Sequence, residues 1–283
     1  IIISQDTVMR AKIFKDNYIP SRTETRTYIT SNTHDLPIVT LVSEPDNFFD
    51  QQNGIYEYGP EQNYENSLPF FGANFWQDWE RDVHFSFYEP TGELGVALDA
   101  GVKIFGAWSR ANDQRSMSIH ARGRYGFGKL EYPIFPSLDY DKFESIVLRS
   151  SGNDWMRTNV KDVIATSLME GSGLEFQEHR SAVVYLNGEY WGFYNIREKV
   201  NEHFLDDKIN VDKSEINILT NNGEIVEGSN TEYNALISFV SNNNLSVPSN
   251  YEYVASQIDI DNFITYQIAN IYLDNTDWPG NNI

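Results

Sequence analysis

The chain has no cysteine in its 283 residues. That excludes disulfide staples, thiolate zinc sites and a cysteine nucleophile. It also fits a protein that works outside the cytoplasm. Basic residues are scarce: 21 Lys and Arg stand against 41 Asp and Glu, a net charge of −20. Such a balance repels phosphate backbones and anionic lipid heads, which argues against nucleic acid and membrane surfaces as partners. No run approaches the ~20 apolar residues that span a bilayer, and no basic stretch with an apolar core follows Ile1 as in an export signal. The five histidines show no HExxH-like spacing, and neither a G-x-S-x-G elbow nor a G-x-x-x-x-G-K-[ST] loop is present. A histidine zinc site, an α/β-hydrolase and a P-loop enzyme are thereby disfavoured.

What is present can fold. The chain is 40% apolar and 14% aromatic, enough for a sizeable core. Residues 1–30 read as short extended runs around an Asp16-Asn17 turn, the tail of a β-module or an extra strand on the main domain. A new unit starts near Leu36 with the β-branched run LPIVTLVSE, then an Asn-, Gln- and aromatic-rich loop over 50–80. VHFSFYE, GVKIFG and RSMSIHAR read as strands. The spacing of Val160, Val163, Ile164 and Leu168 predicts a helix over 155–170, capped by Asn153 or Asp154 and ended by Gly171. SAVVYL, Asn187-Gly188 and EYWGFYNI form the clearest hairpin. Helices are expected over about 197–205, 231–241 and 260–273, the last with the apolar stripe Ile264, Ile268, Ile271 and Tyr272. Strands first and helices second indicate an α+β fold with two lobes.

Two places could carry chemistry. Between Gly101 and Leu130 lie Lys103, Arg110, Arg115, Arg122, Arg124 and Lys129, interleaved with glycines and a single acid, Asp113. Glycines allow close backbone approach to an anion and guanidinium groups grip phosphate oxygens, so the segment is either a phosphate cradle or a solvated strand face. Near the end of the chain, Asp277 and Asn282 have the D-x-x-x-x-N spacing of a kinase-type catalytic loop. Asp154/Asn159 and Asp212/Asn217 share that spacing, so by itself it is a cheap signal.

Four ordered segments are far more specific: GVKIFGAWSRANDQRSMSIHARGRYG, IVLRSSGNDW, VVYLNGEYWGFYNIREKVNEHFL and NTDWPGNNI. Over residues 36–283 the chain resembles the spore coat protein H (CotH) kinase family, and residues 7–29 resemble the end of an immunoglobulin-like or chitobiase-C-terminal-like module. The resemblance implies an atypical protein-kinase-like fold, with a β-rich lobe over about 36–195 and a helical lobe over about 196–283. It implies ATP and magnesium as cofactors and exported proteins with Ser/Thr hydroxyls as substrates, outside the cytoplasm.

Carried over residue by residue, Asp277 matches the catalytic aspartate and Asn282 the metal-side asparagine. Glu198 matches a glutamate opening the first helix after the hairpin, where it would orient a phosphate-binding cation. Arg110 and Arg115 match basic positions of an SR…QKS-type motif, Arg115 standing where the family more often has lysine, and Lys161-Asp162 replaces an Arg-Asp. A second magnesium-binding aspartate is expected beyond Ile283, so these residues alone are expected to be catalytically crippled. The alternative is a non-catalytic scaffold or glycan- or protein-binding module that keeps the fold.

Overall fold

The structure is a computed structural model that describes residues 2–31 and 34–279. The chain divides into two compact units, Ile1–Val163 with Glu178–Lys199, and Ile164–Gln177 with Val200–Ile283.

The first unit is built on strands. A hairpin of β1 (Thr7–Ala11) and β2 (Glu24–Tyr28) forms its own two-stranded sheet. The remaining strands are β3 (Ile38–Val42), β4 (Arg81–Tyr88), β5 (Leu94–Phe105), β6 (Ser116–His120), the short β7 (Leu130–Glu131) and β8 (Lys142–Phe143), β9 (Ser145–Arg149), β10 (His179–Leu186) and β11 (Glu189–Glu198). Seven of them close a barrel in the order β3-β4-β5-β6-β9-β11-β10. Closure comes from a parallel pairing of β10 with β3, Val183 opposite Ile38. Alternation then sends one side chain in two inward. Val83, Phe85, Phe87, Leu98, Ala100, Val102, Met117, Ile119, Ile146, Leu148, Val184 and Ile196 fill the barrel. The loop over residues 50–80, with the one-turn helix α1 (Pro45–Phe49) before it, adds Phe48, Ile55, Tyr56 and Phe75 to that core.

The hairpin turn takes the geometry its residues allow, with Asn187 at φ 53° and Gly188 at φ 86°. β5 begins seven residues before the GVKIFG run, because Leu94 to Ala100 continue the alternation and Asp99 sits opposite His84.

The helix expected over 155–170 is shorter: α2 spans Lys161–Ser167. The reason is Asp154, whose carboxylate accepts the backbone N–H groups of Val160 and Lys161, both at 3.0 Å, and so uses residues 155–160 as a turn. Of the expected apolar face only Val163 is buried, while Ile164 and Leu168 are 56% and 57% exposed.

The second unit carries α3 (Glu202–Ile209), β12 (Ile218–Thr220), β13 (Glu224–Glu227), α4 (Thr231–Asn242), α5 (Pro248–Ala255) and α6 (Ile260–Tyr272). β11 continues through Arg197 and Glu198, so the helix expected from 197 begins at Glu202, capped by Asn201. Asp259 caps α6 through the N–H of Asn262 at 3.0 Å. The stripe Ile264, Ile268, Ile271 and Tyr272 is amphipathic as expected yet 48–77% exposed. Among the described residues this unit buries few large apolar side chains, chiefly Phe204, Ile216 and Val254, and has no core to cover it. The fold is mixed α+β, strand-rich first and helical second, with a closed barrel that the strand pattern did not announce.

Candidate functional site

Because Met117, Ile119, Ile146, Leu148 and Ile196 point inward, their neighbours Ser116, Ser118, His120, Arg149, Asn195 and Arg197 lie on the outer face of β6, β9 and β11. That face is polar. Ser116 and Ser150 hydroxyls meet at 3.0 Å, and Ser118 Oγ meets His120 Nε2 at 2.9 Å.

Three charges converge there. Arg149, the last residue of β9, donates its Nε–H to Asp162 Oδ2 in the first turn of α2, and Arg197 Nη1 reaches the same oxygen at 3.3 Å. Arg197 is 2% exposed; burial pushes its guanidinium pKa down and Asp162 pulls it back. Arg149 is one-third exposed, and its two terminal amino groups make no hydrogen bond among the described residues. An anchored guanidinium with a free fork is suited to bidentate binding of an anion. His120, on the same face, has its pKa lowered to about 4, first by burial and then by Lys199.

The cations of the Gly101–Leu130 segment are otherwise engaged. Lys103 pairs with Asp78, Arg122 and Arg124 with Glu80 at 3.1 and 2.5 Å, and Lys129 with Glu144 at 2.9 Å. These acids come from outside the segment, where no local window could show them. Arg110 donates to the carbonyls of Gly106 at 2.6 Å and Phe75 at 3.0 Å. Arg115 is 4% exposed, with its guanidinium 4.2 Å from the Phe75 ring centre and 5.0 Å from that of Tyr56. Burial pushes the pKa of both guanidinium groups down.

Glu198 does not open a helix; it ends β11. Its carboxylate takes the Tyr140 hydroxyl and the Glu178 N–H, the latter at 2.8 Å. In register it faces Ile146. Neither of these two bonds to its carboxylate involves Arg110 or Arg115.

The profile of the CotH kinase protein family matches residues 102–283. The chain belongs to the CotH kinase family. A comparison with curated proteins finds no match.

Within this CotH kinase chain, Asp277 stands in the loop after α6, exposed, its N–H on Asn275 Oδ1 at 3.2 Å. Asn275 is itself held by Asn270 through its side chain at 2.8 Å. The expected loop is therefore present at Asp277, whereas Asn282 lies outside the described residues. Among the described residues no three acidic or histidine side chains gather to hold a metal ion.

The sequence reading missed Arg149, Asp162 and Arg197 as a set. A usable signal existed: IVLR is a buried strand ending in a cation, and a helix opening with Lys161-Asp162 follows it.

Proposed function

We propose that this CotH kinase domain is an ATP- and magnesium-dependent phosphotransferase that phosphorylates Ser/Thr hydroxyls of exported proteins outside the cytoplasm. The observation that supports it most is the ion pair between Arg149 at the end of a strand and Asp162 in the first turn of the next helix. Kinase-type sites use such a strand-cation and helix-acid pair to aim positive charge at the nucleotide phosphates. Here the acid is an aspartate and the cation an arginine. The two trade chain length for each other, since a shorter carboxylate meets a longer, planar fork.

ATP supplies the transferred phosphoryl group. Asp162 fixes Arg149 by accepting its Nε–H, which leaves both terminal amino groups to bind phosphate oxygens. Arg197 shares that Asp162 oxygen as a second hydrogen-bond donor. Asp277 orients the attacking hydroxyl and takes its proton as the new O–P bond forms and the bond to the nucleotide breaks. Arg110 and Arg115 are assigned to the aromatic end of the barrel rather than to phosphate. Magnesium enters through the family alone, with Asn282 as its expected ligand.

Calorimetric titration with ATP and magnesium tests the reading. The wild-type protein should bind, and Arg149→Ala should weaken binding at least about tenfold, the loss of one charge-assisted contact pair. A wild-type protein that takes up no nucleotide overturns the proposal and leaves a scaffold role.

A further inference from the structure

Asn195 is fully buried on the outer face of β11, where a carboxamide needs partners for both its nitrogen and its oxygen. Its position explains itself. In register it sits directly opposite Arg149 on β9, and it lies two residues from Arg197 on the same face. Its amide nitrogen donates to the carbonyl of Asn159 at 2.8 Å and to Ser151 Oγ at 3.3 Å. Its oxygen accepts from Ser181 Oγ at 2.7 Å. Ser151 closes the ring by donating to the same Asn159 carbonyl at 2.5 Å.

The loop so held is the one that joins Arg149 to Asp162. It is a costly loop, with Ser151, Met156 and Asn159 all at φ between 60° and 70°. Asp154 folds its far end by accepting from Thr158, Val160 and Lys161. Asn159 precedes Asp162 by only three residues, so the height at which Asn195 holds the Asn159 carbonyl sets where Asp162 meets the two arginines.

We infer that Asn195 is a positioning residue: it tethers the loop after β9 to β11 and thereby sets the aim of Arg149 through Asp162. The consequence for nucleotide rests on the phosphotransferase reading; the tether itself does not.

The experiment has two arms on the whole chain. In the first, hydrogen exchange of the peptide covering 156–163 is followed in wild type and Asn195→Ala. Exchange there should quicken about tenfold, as expected for one lost buried hydrogen bond, while the barrel strands keep their protection. Unchanged exchange, or equal loosening of the whole barrel, overturns the inference. Should Asn195→Ala not fold, Ser181→Ala, which removes only the hydroxyl that orients the carboxamide, is read in the same way.

In the second arm, affinity for ATP with magnesium is measured for Asn195→Ala in the wild-type and Arg149→Ala backgrounds. A loss in the first and none in the second supports action through Arg149, whereas equal losses overturn it. If wild type binds no nucleotide, the phosphotransferase reading alone fails and the exchange arm still decides the tether.

Discussion

Arg197 Nη1 lies 3.3 Å from the Asp162 oxygen that also accepts from Arg149, so one carboxylate holds two guanidinium groups. Removing it takes a carboxylate away from a cation that is 2% exposed and stands beside a like charge. Asp162→Ala should therefore destabilise the protein by about 3 kcal/mol, the usual cost of breaking a buried pair from one side. Asp162→Asn, which keeps an acceptor, should cost less. Urea unfolding checks both, and a loss below about 1 kcal/mol for the alanine variant would contradict this account.

Arg115 offers a contrasting test. Its guanidinium lies among rings; among the described residues its Nε is unbonded and it makes one long contact, Nη1 to the Asp113 carbonyl at 3.4 Å. A buried charge so poorly satisfied contributes little net stability, and an apolar group of similar length can replace it. Arg115→Met should change stability by no more than about 1 kcal/mol. Nucleotide affinity should stay within about twofold, since the side chain is committed to Phe75 and Tyr56. A tenfold loss of affinity would return Arg115 to the phosphate site.

His120 gives the fold a dependence on pH. Burial, with Lys199 adding, holds its pKa near 4, below the ordinary 6.5. The unfolded chain thus binds a proton between those values that the folded chain refuses. Stability is fully present above pH 6.5 and falls as pH drops toward 4, by up to about 3 kcal/mol. His179, also pushed down by burial, contributes with the same sign. Denaturation midpoints at pH 7 and pH 5 should differ in wild type and differ less in His120→Gln. Parallel midpoints in the two proteins would show that His120 is not the group responsible.

Local signals were readable wherever local chemistry decides. Asn187-Gly188 required a tight turn, Asp259 capped α6, and the loop around Asp277 followed from its residues. Even α5 had a signal, Pro248 in its first turn, that went unused. What stayed hidden was set by distant partners. The barrel closes through β3 and β10, which lie far apart in sequence. The basic segment could be a cradle or a solvated face because Asp78, Glu80 and Glu144, which pair four of its cations, lay outside the window. Helical spacing over 155–170 was real, but Asp154 took the backbone N–H groups on which a helix start depends. Arg149 and Asp162 were legible singly; their pairing needed the loop that Asn195 holds.

Under the proposed phosphotransferase reading, Asp277 separates binding from chemistry. Its carboxylate is exposed and its backbone is tied through Asn275 to Asn270 on α6, so a substitution at the side chain should leave the fold unchanged. A group that only orients a hydroxyl and accepts its proton acts in the transition state and contributes little to the ground state. Asp277→Asn keeps the shape and removes the base. Nucleotide affinity should then remain within about twofold, while any phosphate transfer by the protein falls at least a hundredfold, the usual share of general-base catalysis. Asn270→Ala should produce a smaller fall in the same rate, because it loosens the loop and leaves the carboxylate in place. Equal losses of affinity and rate in Asp277→Asn would instead make the aspartate a ligand of the nucleotide complex, and the proton acceptor would have to be sought among other side chains.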